Sequence, residues 1–117
     1  MMLAPGDVVL IPFPFSELQA AKRRPVLVLR HCDKFGDFLA VAITSQAGHG
    51  DALAISEKDL SEGILPKTSW VRVTKLYTLN QDCVVARFGA FRSASFCKVQ
   101  DAVCLAAGCM NGAPDLV

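Results

Sequence analysis

Apolar residues in this chain come in short runs divided by polar turns, and only the last stretch carries a helical spacing. After a turn at Gly6 and Asp7, Val8 to Ile11 read as a first strand. Pro12 and Pro14 stop it, because neither can donate to a ladder. Phe13 to Arg23 then read as a loop. Pro25 to Arg30 form a second strand. Its proline takes the first position, where a missing N–H costs least. Val26 to Leu29 make the unbroken apolar run of a strand covered on both faces. His31 to Asp37 turn the chain into a third strand, Phe38 to Thr44, giving an antiparallel hairpin. Ala47 to Gly50 are a turn, Asp51 to Ile55 a short strand, and Ser56 to Leu60 a helical turn. Ser56 is its N-cap and Asp59 follows three residues on, close to a capping box. Gly63 to Thr68 form a linker. In Ser69 to Lys75 the residues alternate, Val71 and Val73 one way, Trp70, Arg72 and Thr74 the other, so Arg72 and Thr74 share a face. Tyr77 to Asp82 turn the chain, and Cys83 to Phe88 form a last strand ended by Gly89. Phe96, Val99, Val103 and Ala106 then fall at helical spacing, with Ser93 or Ser95 as cap, Gly108 as the stop and a frayed tail from Asn111.

Five or six short strands, one late helix and no alternation of strand and helix predict a mainly β fold with a C-terminal helix. The architecture expected is a small, strongly curved antiparallel barrel with the helix over one open end.

Composition narrows the partners. A chain of 117 residues, 52% of them hydrophobic and with mean hydropathy +0.37, fits one domain over residues 1–117. It predicts a generous core together with apolar surface buried on a partner. No apolar run approaches the ~20 residues of a membrane span. The N-terminus has neither a basic start nor a clean apolar stretch, so a secretory signal is not expected and the cytoplasm is. A net charge of +1 excludes a broadly basic surface and leaves room for a local basic site. The five cysteines, Cys32, Cys83, Cys97, Cys104 and Cys109, are odd in number and include no C-x-x-C pair. That argues against zinc and against a disulfide framework, and for reduced, mostly buried thiols. There is no glycine-rich phosphate loop and no metal-binding cluster, and no cofactor is expected.

The candidate chemistry lies at strand ends. His31 and His49 have no Cys or Ser beside them in any triad order, so each reads as an ordinary turn residue. Lys22-Arg23-Arg24 run straight into the second strand. Taken alone, they are a solvated basic turn before a core strand. But an antiparallel hairpin brings the start of its first strand beside the end of its second. Arg24 then meets Thr44, with Ser45 and Gln46 next to it, at a Cβ separation of about 5 Å. A guanidinium fork beside a hydroxyl donor suits a phosphodiester, although a strand-end threonine also bonds backbone. Phe13 and Phe15 serve either as a plug or dimer seam, or as a platform for stacked bases.

Gly6-Asp7-Val8-Val9-Leu10, Arg24-Pro25-Val26-Leu27-Val28 and Ala42-Ile43-Thr44-Ser45-Gln46, in that order, resemble the MazF/PemK family of bacterial toxins. Ser69 to Thr78 and the closing strand–Gly–Ser–helix pattern are similar to its PemK-like branch, and the resemblance spans roughly residues 4 to 107. It implies an SH3-like barrel of the CcdB/MazF type, a homodimer, and cleavage of single-stranded RNA without a metal. The resemblance further implies attack by the substrate's own 2′-hydroxyl, leaving a cyclic phosphate and a free 5′-hydroxyl. The resemblance implies that Arg24 holds the scissile phosphate and offers the leaving group a proton, that Thr44 orients a phosphate oxygen, and that Arg72 adds a second cation. Phe15, Arg23, Ser45, Gln46, Thr74 and Lys75 are the expected RNA contacts. The family's Arg-x-Asp pair departs here, because Thr74 stands where the aspartate would be, which leaves the general base open. The implied partner is a cognate antitoxin of the MazE/PemI kind laid over the groove and masking Arg24. Two other readings stand beside this one. A CcdB-like poison of DNA gyrase would share the fold, and a catalytically inactive barrel would bind RNA without cutting it.

Overall fold

The computed structural model describes residues 2–13 and 22–109. Among these, seven strands and one helix follow in the order β1 (Asp7–Phe13), β2 (Lys22–Val28), β3 (Asp37–Thr44), β4 (Ala52–Ile55), β5 (Leu60–Glu62), β6 (Ser69–Asn80), β7 (Ala86–Phe91) and α1 (Ser93–Ala106). The strands form one antiparallel sheet in the order β4-β6-β3-β2-β1-β7-β5. Its outermost strands, β4 and β5, are neighbours in sequence. Only Ser56 and a 3-10 turn, Glu57–Asp59, separate them. Five peptide steps reach no further than about 18 Å, so the sheet must curl until its two ends nearly meet. The capping box that holds this turn is formed as the sequence predicts. Ser56 N donates to Asp59 Oδ2 at 2.8 Å, and Lys58 N donates to Ser56 Oγ at 3.3 Å.

Curling gives the sheet a concave core of Val8, Leu27, Val41, Ile43, Ile55, Leu60, Val71 and Phe91. The helix joins it through Val99 and Val103, with Phe96 packed against them. The other face carries a smaller core of Leu3, Val9, Ile11, Val26, Val28, Phe38 and Ala40. Strand β2 thus contributes to both cores, as its unbroken apolar run predicts.

Several boundaries differ from those the sequence predicts, each for a tertiary reason. Strand β1 continues through Pro12 to Phe13, because its pairing with β7 ends at Leu10 and Pro12 is left facing β2 alone. Strand β2 starts at Lys22 and ends at Val28, so Phe13, Lys22 and Arg23 belong to strands and not to a loop. Strand β6 runs on to Asn80, since Leu79 and Tyr77 lie opposite Phe38 and Ala40 of β3. Gly89 lies inside β7. A Cβ there would come within 2.6 Å of Glu62 O and 3.3 Å of Gly63 Cα, so the glycine permits β5 to approach and does not end the strand. Neither Ser93 nor Ser95 caps the helix. Arg92 is the N-cap, and Ser95 Oγ instead donates to Asp59 Oδ1 at 2.7 Å, tying the helix to the 3-10 turn. The helix buries Val99 and Val103 and turns Cys97 and Cys104 outward; these and Cys109 are exposed thiols rather than buried ones. Among the described residues no helix is long and apolar enough to cross a membrane.

Candidate functional site

The site begins at a proline. Strands β2 and β3 are in register over Val26↔Ala42, Leu27↔Val41 and Val28↔Ala40, and there the ladder stops. Leu10, opposite Pro25 in β1, gives its carbonyl to Val85 N at 2.8 Å, so its peptide groups point away from β2. Opposed residues of an antiparallel pair point the same way relative to each other, toward or apart. Pro25 therefore aims its nitrogen at β3, and that nitrogen has no proton to donate. The strands part beyond this point and leave a groove. The register carried on by two residues sets Arg24 opposite Thr44, as expected of the hairpin.

Side-chain alternation decides what faces the groove. Arg24 shares a face with Val26 and Val28 of the smaller core, and Thr44 and Ala42 share one with Ala40 and Phe38. Strand β6 adds Arg72 opposite Ala42 and Tyr77 opposite Ala40. Between these two pairs the register slips, since Val41 faces Leu76, and Val73, Thr74 and Lys75 bulge out. The result is a groove of two linked cavities, about 430 and 300 Å³, that share Arg24, Pro25, Ile43, Thr44 and Gln46. The first also takes in Arg23, Ser45, Lys67, Ser69 and Phe88, and the second His49, Arg72, Lys75 and Tyr77.

Five cations line this groove, Arg23, Arg24, Lys67, Arg72 and Lys75, and no carboxylate does so among the described residues. In a chain of net charge +1, that is a sorting of charge. The compensating acids stand elsewhere, some of them in ion pairs. Buried Asp7 accepts from Arg87 Nε at 3.1 Å and from Ala4 N at 2.9 Å, and Arg87 Nη1 donates to Glu62 Oε2 at 2.8 Å. Grouped cations within low-dielectric walls focus the field on an anion. Thr44 is set up to add a neutral donor. Its Oγ1 accepts from Gln46 N at 3.1 Å, which leaves the hydroxyl proton for a ligand oxygen.

The structure thus brings together Arg23, Arg24, Thr44, Ser45, Gln46, Arg72 and Lys75. Phe15 lies outside the described residues. Thr74 is exposed on the strand bulge and does not line the groove; its hydroxyl and its N–H both donate to Asp51 Oδ2, at 2.5 and 3.3 Å. Asp51 Oδ1 accepts from Arg72 Nε at 3.2 Å. The Thr74 hydroxyl, with the Arg72 guanidinium and the Thr74 N–H, holds the Asp51 carboxyl down at about 2. His31 is the turn residue expected, its Nδ1 donating to Leu3 O at 3.1 Å. His49 is also in a turn, yet it lines the groove.

The sequence pattern does not pick out Asp51, Tyr77, Lys67 or Phe88, and it makes His49 a turn residue only. Of these, His49 alone carries a local signal, three residues after Gln46 between two glycines. Phe88 reaches the groove because the register of β1 and β7 slips between Val8 and Val9, which face Gly89 and Arg87.

The family described as PemK-like, MazF-like toxin of type II toxin-antitoxin system matches residues 4–107. Solved structures agree on the fold. An endoribonuclease in complex with its cognate antitoxin, from a mycobacterial species, superposes with a TM-score of 0.72 at 19% identity, covering 94% of this chain and 99% of that one. A second endoribonuclease from a mycobacterial species gives 0.65 at 20% identity, with 91% of each chain covered. A MazE-MazF complex from Deinococcus radiodurans gives 0.72 at 17% identity, over 91% of this chain and 96% of the other. No curated protein sequence matches.

Proposed function

Because the chain belongs to the PemK-like, MazF-like toxins of type II toxin-antitoxin systems, we propose that its groove is the active site of an endoribonuclease that cuts single-stranded RNA. The observation that carries this reading is the groove itself, where five cations and a donor hydroxyl converge with no lining carboxylate among the described residues. An RNA strand supplies the anions such a surface attracts, and a single strand can lay its phosphates along a basic groove.

The chemistry needs no external nucleophile. The 2′-oxygen loses its proton and bonds to phosphorus, the P–O5′ bond breaks, and the 5′-oxygen takes up a proton. The products are a 2′,3′-cyclic phosphate and a free 5′-hydroxyl. Arg24 faces the non-bridging oxygens, whose charge rises in the transition state, and Thr44 donates to one of them. Arg72 contributes the second cation. Placed charge of this kind commonly contributes more to catalysis than any other single effect, each donor supplying about 2.7–4 kcal/mol. His49 and Tyr77 line the same groove and are candidates for moving these protons. Arg23, Ser45, Gln46 and Lys75 hold neighbouring nucleotides.

The whole chain acts as one domain and pairs as a homodimer in the cytoplasm. An antitoxin of the MazE kind neutralises it by occupying the groove, its carboxylates standing in for phosphates. The test is incubation of purified protein with a long unstructured RNA in EDTA, followed by mapping of fragment ends. Discrete cuts bearing 5′-hydroxyls, absent with Arg24→Ala, are expected. Intact RNA from folded, antitoxin-free protein would overturn the reading and favour a gyrase poison or an inactive barrel.

A further inference from the structure

Asp51 stands outside the groove, directly behind one of its cations. It is the residue before β4, and its backbone is pinned from both sides. Ala52 N donates to His49 O at 3.2 Å, Val73 N donates to Asp51 O at 3.3 Å, and Ala52 pairs with Arg72. Its side chain is 13% exposed and that of Arg72 25%. Each carboxylate oxygen is engaged, Oδ1 by Arg72 Nε and Oδ2 by the N–H and hydroxyl of Thr74.

A guanidinium is a rigid plane with donors on more than one edge. A carboxylate that takes the Nε edge fixes the plane and turns the edge between the terminal nitrogens away from itself. Asp51 does not line the groove and Arg72 does, so the edge turned away is offered to whatever fills it. We propose that Asp51 is a positioning residue for the reaction, a carboxylate that holds Arg72 from behind and aims its terminal nitrogens at the scissile phosphate. This rests on the ribonuclease reading above. Thr74 is the second half of the device. It fixes the other oxygen, so the carboxylate cannot rotate away from Arg72. The same bonds keep the group ionised through the neutral range, which suits an anchor and not a proton acceptor.

The geometry supplies its own control. Thr74 Oγ1 touches Asp51 Oδ2, so Thr74→Asp places a carboxylate two residues along from Arg72, at the spot where the present one ends. Asp51→Asn keeps the shape and loses the charge. With RNA as substrate, Asp51→Asn should lower kcat by about ten- to a hundredfold, short of the roughly 10²–10³ lost with a direct donor, while KM stays within about twofold. The same change in an Arg72→Ala background should cost no more than about twofold, and Asp51→Asn with Thr74→Asp should regain at least half of the loss on a logarithmic scale. An unchanged kcat in folded Asp51→Asn, an equal loss in the Arg72→Ala background, or no recovery with Thr74→Asp would each overturn the proposal. A readout independent of cleavage is the Arg72 Nε–H in ¹⁵N NMR of the whole protein. Its exchange with water should be slow in the wild type and at least tenfold faster in Asp51→Asn. If the wild type cuts no RNA but this signal behaves so, the anchoring stands and the ribonuclease reading falls. If the proton exchanges freely in an active wild type, the anchoring falls alone.

Discussion

Arg72 and Arg87 make a matched pair with opposite fates. Each stands on a strand and donates Nε to a carboxylate far off in sequence, at 3.2 Å to Asp51 and 3.1 Å to Asp7. Arg87 then gives a terminal nitrogen to Glu62 at 2.8 Å, so two carboxylates surround one cation and its far edge is taken by protein. Those bonds, Glu62 first, raise Arg87 and lower Glu62 from their ordinary values. Among the described residues Arg72 has one carboxylate behind it, with Arg24, Lys75 and His49 around the groove ahead. The same residue in the same kind of ion pair is enclosed by two carboxylates at the β5–β7 seam and lines the groove between β2 and β3 with one. The difference is the second acid.

If groove and seam are divided in this way, substitutions in the two places should have opposite consequences. Arg24→Ala should lower cleavage by about 10²–10³-fold while leaving the urea midpoint near that of the wild type, since the backbone pairing of this position with Ile11 of β1 survives the change. A large drop in midpoint would make it a structural residue after all. At the seam, Gly89→Ala should do the reverse. Its added Cβ meets backbone at 2.6 Å, which flexible side chains cannot relieve, so a loss of about 1–3 kcal/mol is expected in a urea melt. Arg87→Met should cost about 1–3 kcal/mol by stranding buried Asp7, with kcat on RNA unchanged below the melting transition. If kcat fell as steeply as in Arg24→Ala, the division between seam and groove would fail.

The smallest effect is in pH. Asp51 is held below the ordinary carboxylate value, so its contribution is fully present above about pH 4. It is lost as pH falls through that range toward about 2. The difference in urea midpoint between wild type and Asp51→Asn should therefore shrink between about pH 4 and about pH 2. A constant difference would show that Asp51 keeps no ion pair in solution.

Local pattern made much of this legible. The apolar run after Pro25 marks a strand shared by both cores, and Ser56 with Asp59 announces the turn on which closure depends. Two breakers misled. Pro12 and Gly89 lie within strands because one faces an unpaired side and the other meets a close neighbour, and neither condition is written next to them in sequence. The site divides in the same way. Arg24 and Thr44 follow from one hairpin whose strands are joined directly through residues 29–36, so counting residues is enough. Lys67 comes from a linker that carries no chemistry-bearing pattern of its own.

The β-rich fold, the hairpin that opposes Arg24 to Thr44 and the proline that opens it are all dictated locally, because each depends on neighbours along the chain and on a missing proton. Arg72 joins them, with Asp51 at its back, through tertiary packing alone. That contact spans 21 residues and depends on the β4–β6 register and on the bulge at Val73–Lys75. A one-residue slip would turn each side chain to the other face, and the register is set by the packing of a whole sheet rather than by any stretch of it.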